Sequence, residues 1–231
     1  MMDPVVFIPG FMSDARAFRH QIEALSLDRP VQVASLAGSD SVRDLASLAL
    51  HGLPQRCALV GHSLGGMVAM ELARLVPERV TRLVLISTDA LSELPGVAAA
   101  RDTMIARARA GRLADAMAEA LPSGALAPGA GRAGVLDIVR QMAERAGVDA
   151  FHAQSRAMQR RPDQQGTLRR LPVPTLVVCG AHDRLFPARR HEVMAGLLPQ
   201  GRLVVLEEAG HLPMLEQPAQ VTDLLDRVLR A

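Results

Sequence analysis

The stretch CALVGHSLGGMVAMELARLV, residues 57–76, sets two periodicities side by side with only a turn between them. CALVG at 57–61 is a short continuous apolar run, the pattern of a strand covered on both faces, whereas MVAMELARLV at 67–76 has apolar helical spacing from its first residue. The junction, Gly61-His62-Ser63-Leu64-Gly65, fits G-x-S-x-G, in which a serine occupies the apex of a sharp strand-to-helix turn. Five letters alone are a weak signal; their position where a strand becomes a helix is the stronger one. Such a turn brings strand and helix backbones close together, and Gly61 and Gly65 supply positions without a Cβ on either side of the serine. The start of the helix also aims unpaired N–H groups and a positive dipole end at the place where an oxyanion would form.

Similar apolar runs recur at VVFI 5–8, VQVAS 31–35, RLVLIS 82–87, TLVVCG 175–180 and RLVVLE 202–207, which with CALVG predict six strands. Helical patterns over 14–26, 40–52, 63–76, 187–198 and 217–229 alternate with them, so the expected architecture is α/β, with a doubly wound, mainly parallel sheet of about six strands. The interval between Ser87 and Thr175, about 85 residues, is too long for one crossover helix. It shows helical spacing at 97–110, 112–120, 132–146 and 149–160, with a Pro/Gly-rich joint, LPSGALAPGAG, at 121–131. A core of residues 1–88 and 168–231 with an inserted helical cap at 89–167 is therefore expected. The cap's charges nearly cancel, as solvated faces and helix pairs would; Arg156 or the pair Arg160-Arg161 could instead grip a substrate carboxylate.

A serine hydroxyl is a poor nucleophile until a base removes its proton, and a histidine base works best when an acid orients it. Asp183 lies in the loop AHDRLFP after TLVVCG, and His211 in the loop EAGHLPMLEQP after RLVVLE. Both loops leave the carboxyl ends of their strands, the edge that also presents Ser63 and where ligands of open α/β sheets bind. Asp89, just after RLVLIS, is a second acid at that edge, able to serve the histidine, line a pocket or cap a helix. His62 reads as a packed, hydrogen-bonded residue, and His20, His51, His152, His182 and His191 have neither a partner pattern nor zinc-site spacing. No metal and no cofactor is expected. The methionines at helical spacing read as core filler, with those of the cap also suited to a deformable pocket wall.

Composition narrows the alternatives. The chain has 231 residues, 49% hydrophobic and 22% charged with a net charge of +2, which suits one globular domain. It contains no Lys, Trp, Tyr or Asn, so Schiff-base chemistry, P-loop phosphate binding and N-glycosylation are excluded. The 26 cations are all Arg, are spread along the chain against 24 acids, and are not interleaved with the five Phe, so neither nucleic acid nor an anionic membrane is an expected partner. Cys57 and Cys179 lie within apolar runs and read as inert buried thiols. Met1-Met2-Asp3-Pro4 lacks the positive start of a signal peptide and no apolar run reaches 18 residues, so a cytoplasmic location is expected.

As a set, FIPGFMSDARAF at 7–18, LVGHSLGGMVAMELA at 59–73, RLVLIST at 82–88, PTLVVCGAHDRLFP at 174–187 and VVLEEAGHLPMLEQP at 204–218 are highly specific, and through them the chain resembles the α/β-hydrolase family. The resemblance implies Ser63 as nucleophile, His211 as general base, Asp183 as orienting acid, and an oxyanion hole made by the backbone N–H of Leu64 and of Phe11, with Met12 the second candidate. It further implies a cofactor-independent serine hydrolase acting on a small carboxylic ester, thioester or lactone. Carbon–carbon bond hydrolysis, acyl transfer, cofactor-free haloperoxidation and a binding protein with little turnover stay open beside it. The chain departs from the family in carrying Pro9-Gly10 where His-Gly is usual, and in starting nine residues before that loop where relatives usually have two further strands. A sheet shortened to about six strands follows, with an edge exposed or covered by a partner, as a monomer or homodimer.

Overall fold

Alternate residues of each strand feed opposite faces of one sheet, which is why the strands read as continuously apolar. Val5, Phe7, Val60, Val84, Ile86 and Val178 enter one buried cluster, while Val6, Ile8, Leu59, Leu83, Leu85 and Val177 enter the other. The computed structural model describes residues 2–230; Met1 and Ala231, at the outer ends of the expected core segments, lie outside the described residues. In chain order the main elements are β1 (Val5–Ile8), α1 (Arg19–Leu25), β2 (Val31–Val33), α2 (Val42–Leu50), β3 (Cys57–His62), α3 (Leu64–Leu75), β4 (Val80–Ile86), α4 (Pro95–Arg109), α5 (Leu113–Ala120), α6 (Arg132–Gln159), α7 (Gln165–Arg170), β5 (Thr175–Gly180), α8 (Ala188–Leu197), β6 (Gly201–Leu206), α9 (Pro213–Glu216) and α10 (Pro218–Arg230).

The six strands are all parallel, in the order β2-β1-β3-β4-β5-β6. Helices α1 and α10 pack together on one side of the sheet and α2, α3 and α8 cover the other, a doubly wound α/β architecture. The direction of winding reverses between β1, whose successor lies to one side, and β3, whose successor lies to the other. The loops leaving the carboxyl ends of β1 and β3 therefore flank the crevice where such sheets bind ligands, and Ser63 follows β3 directly.

Between β4 and β5 the chain forms α4, α5 and α6, which pack on one another, and their Met104, Met117, Met142 and Phe151 extend the first buried cluster beyond the sheet. The two helical patterns at 132–146 and 149–160 form a single element broken at Gly147, whose φ of 82° and ψ of 178° are non-helical. Helix α7 instead packs against α3 and α8. Among the described residues no helix is long and apolar enough to cross a membrane. Cys57 and Cys179 are buried free thiols, pushed up to about 11 and about 12 by desolvation, which keeps them protonated.

The glycines of the turn answer two different demands. A Cβ on Gly61 would lie 2.5 Å from the carbonyl oxygen of Gly65, so it is the close approach of strand and helix that requires glycine there. A Cβ on Gly65 would collide with the carbonyl oxygens of Ile8 and Pro9, that is, with the neighbouring strand β1. Gly65→Ala should therefore lower stability in urea by at least about 3 kcal/mol, the upper range of overpacking. Gly196→Ala, in α8 with open space around it, should leave stability unchanged or raise it by about 0.5–1 kcal/mol. Equal urea midpoints for both variants would contradict this reading of the turn.

Candidate active site

Ser63 adopts φ 52° and ψ −118°, a conformation that costs a non-glycine residue about 1–3 kcal/mol. Its backbone is tied at both ends. The Ser63 N–H donates to the Ile86 carbonyl at 2.9 Å, and the Ser63 carbonyl accepts from the Thr88 hydroxyl at 2.7 Å and from the Gly66 N–H at 2.9 Å. Thr88 is braced in turn, its N–H donating to His191 Nε2 at 3.1 Å while His191 Nδ1 donates to the Pro187 carbonyl at 3.3 Å. Leu64 opens α3, so its N–H has no acceptor within the helix.

His211 is fixed on three sides. Its Nδ1 donates to Asp183 Oδ2 at 2.9 Å, its backbone N–H donates to Ala125 at 2.8 Å, and its carbonyl accepts from His62 Nε2 at 2.8 Å. Asp183 is buried, and its Oδ1 accepts the N–H groups of Leu185 at 2.9 Å and Phe186 at 3.0 Å. Burial works to raise the Asp183 pKa, but the attraction and hydrogen bond of His211 together with those two N–H groups outweigh it and hold it below the usual carboxylate range. The ionised acid keeps the proton of a neutral His211 on Nδ1, leaving Nε2 as an acceptor. His211 and Ser63 line one cavity.

Asp89, the other acid at this edge, is engaged elsewhere. It is buried, pairs with Arg190 and accepts the Leu91 N–H at 3.1 Å. Among the residues after Gly10, Met12 has φ 52° and gives its N–H to Gln154 Oε1 at 2.7 Å, while Gln154 Nε2 donates to the Leu36 carbonyl at 3.3 Å. Phe11 faces the cavity and packs edge-on against Phe151, one turn before Gln154 on α6, with ring centres 5.2 Å apart. Nothing local in the sequence marked Gln154, because its bond to Met12 spans 142 positions. Arg156 and Arg160 point outward to Asp102 and Asp40, whereas Arg161 turns into the cavity, as do Met117 and Met158. Among the described residues no three His, Cys, Asp or Glu side chains gather into a metal-binding group.

His62 is completely enclosed, and desolvation first, then the neighbouring His211, lower its pKa to about 3. It is neutral at any working pH and acts as the donor that pins the His211 backbone. In a pH titration followed by histidine side-chain NMR, the His62 ring should keep a single neutral signature down to about pH 4. A midpoint above 5 would contradict this assignment.

Residues 5–224 match the model of the alpha/beta hydrolase family. Over 234 aligned residues the chain is 30% identical to a Pseudomonas savastanoi pv. phaseolicola protein provisionally named carbamate hydrolase RutD, covering 93% of this chain and 88% of that one. It is 30% identical to the pimeloyl-[acyl-carrier protein] methyl ester esterase of Aeromonas salmonicida over 178 residues, 75% of this chain and 70% of the esterase. A malate-bound thermophilic esterase from Thermogutta terrifontis superposes with a TM-score of 0.88 at 31% identity, covering 98% of this chain and 89% of that one. The chain belongs to the alpha/beta hydrolase family and is a hydrolase.

Proposed function

We propose that the protein is a cofactor-independent serine hydrolase that cleaves a small carboxylic ester, thioester or lactone through an acyl-enzyme on Ser63. The observation that carries this reading is the Asp183–His211 hydrogen bond beside a serine held at positive φ at the mouth of α3. His211 Nε2 takes the Ser63 proton as Oγ attacks the substrate carbonyl. The imidazolium that forms is stabilised by Asp183, already ionised and anchored by the Leu185 and Phe186 N–H groups. The Leu64 and Phe11 N–H groups hold the tetrahedral oxyanion; Met12 is spent on Gln154. His211 then protonates the leaving alcohol or thiol, and water repeats the sequence to free the acid.

In this reading residues 89–167 act as a cap that closes over the substrate and, through α6, also set the oxyanion loop. Gln154 fixes Met12 and Phe151 backs Phe11, so the loop's conformation depends on the insert. The relatives named as esterases support ester hydrolysis as the reaction.

Turnover of a p-nitrophenyl ester series by purified protein tests the proposal. Ser63→Ala should lower kcat by about 10⁴-fold or more with an unchanged urea midpoint. Near-normal hydrolysis by that variant overturns the assignment. Gln154→Ala should lower kcat about tenfold with KM little changed when rates are normalised to fluorophosphonate-titrated sites, the cost of a loosened oxyanion donor. A kcat equal to that of the parent would remove the insert from the catalytic step.

A further inference from the structure

The cavity above Ser63 carries a charge imbalance that hydrolysis does not use. Arg101, Arg161, Arg190 and Glu93 all line it. The Glu93 side chain is buried and receives Arg101 through Nε at 2.6 Å and Nη2 at 3.2 Å, and also Arg161. Asp89, buried behind them, receives Arg190 and faces Arg161 Nη2 at 4.0 Å. Arg161 is held by Glu93 and by the carbonyls of Leu91 at 2.8 Å and Met158 at 3.2 Å through its Nε and Nη1, with Nη2 turned toward Asp89. Three guanidinium groups thus meet two carboxylates, leaving one positive charge unmatched. The Asp183 charge does not cancel it, being engaged by His211 and the two backbone N–H groups. Among the described residues, Arg101 Nη1, Arg161 Nη2 and Arg190 Nε and Nη2 have no hydrogen-bond acceptor on the protein. The Arg101 guanidinium carbon lies 5.8 Å from the centre of the Phe11 ring, beside the oxyanion loop. Burial also draws the Arg161 pKa down despite Glu93 and Asp89 next to it.

We propose that Arg101 and Arg190 form a subsite for a carboxylate on the acyl part of the substrate, with Arg161 locked between Glu93 and Asp89 as its scaffold, so that the preferred substrates are half-esters of dicarboxylic acids or lactones bearing a free carboxylate. This rests on the reading of Ser63 as nucleophile and deepens it. A single surplus charge matches a carboxylate monoanion better than a phosphate dianion, and guanidinium donors suit a planar carboxylate. Apolar walls at Leu94, Val97, Met158 and Leu185 accommodate an aliphatic spacer between the two ends.

The test compares kcat/KM for monomethyl adipate with that for methyl hexanoate, its uncharged counterpart. The parent enzyme should prefer the half-ester at least about tenfold, and Arg101→Gln and Arg190→Gln should each erase about tenfold of that preference through KM, the loss of one charge-assisted bond. Val97→Glu breaks no ion pair, since Val97 is half-exposed at the cavity, and should erase the preference by supplying the missing negative charge. A parent enzyme that favours the neutral ester, or a preference unchanged in all three variants, overturns the subsite. If instead neither ester is cleaved, or Ser63→Ala still cleaves them, the hydrolytic reading fails on its own. Calorimetry of adipate binding to the parent and to Arg101→Gln then decides the subsite separately: tenfold weaker binding by the variant upholds it, and equal binding overturns it.

Discussion

One backbone conformation governs the rest of the site. Ser63 sits at positive φ where a non-glycine residue is strained, and it stays there because three elements hold it: β4 through Ile86, the strap after β4 through Thr88, and the first turn of α3. Gly61 and Gly65 permit that geometry by letting α3 press against both β3 and β1. The strain is therefore distributed through the centre of the sheet, where burial is complete, and not stored in a mobile loop. The same packing puts the free N–H end of α3 beside the loop that leaves β1, so the serine and the two backbone donors proposed for it arise from one juxtaposition at the reversal of the sheet.

The histidine is positioned by different means. His211 lies on a loop, and its rigidity comes from bonds to a strand-end acid, to Ala125 in the insert, and to His62 next to the serine. The last two tie its backbone, while the ring bonds to Asp183 and packs against His62 and Phe186. His62 makes its bond to the His211 carbonyl as a deeply buried neutral ring, its charged form disfavoured by desolvation. Gln154 performs the analogous service for the loop after β1. Residues between β4 and β5 thus bond to both ends of the proposed catalytic machinery, Ala125 to His211 and Gln154 to Met12.

Much of the fold was legible because it is local. Each strand announced itself as an apolar run, and the break at Gly147 fell between two helical patterns. The short helices α7 and α9 escaped: QGTLRR has no apolar stripe, and PMLE is a single turn set by tertiary packing. That Ser63 and His211 lie at the same edge of the sheet was readable from the strand ends. Asp183 and Asp89 were not separable that way, since both follow strands at the same edge; what divides them is Arg190, distant in sequence, which claims Asp89. Arg160 and Arg161 differ by one position, yet one meets Asp40 on the surface and the other enters the cavity, because the helix ends there and its phase cannot be extrapolated. Long-range polar bonds such as Gln154 to Met12 leave no periodic trace at all.

The central claim is that Ser63 is activated by His211 and Asp183 within this frame. Intact-mass and peptide mapping after exposure to an aryl fluorophosphonate tests it most directly. The account predicts one adduct per chain, on the peptide containing Ser63, forming at least about a hundredfold more slowly when Asp183 is replaced by Asn. Labelling at another residue, or labelling of Ser63 at an undiminished rate in Asp183→Asn, would contradict it.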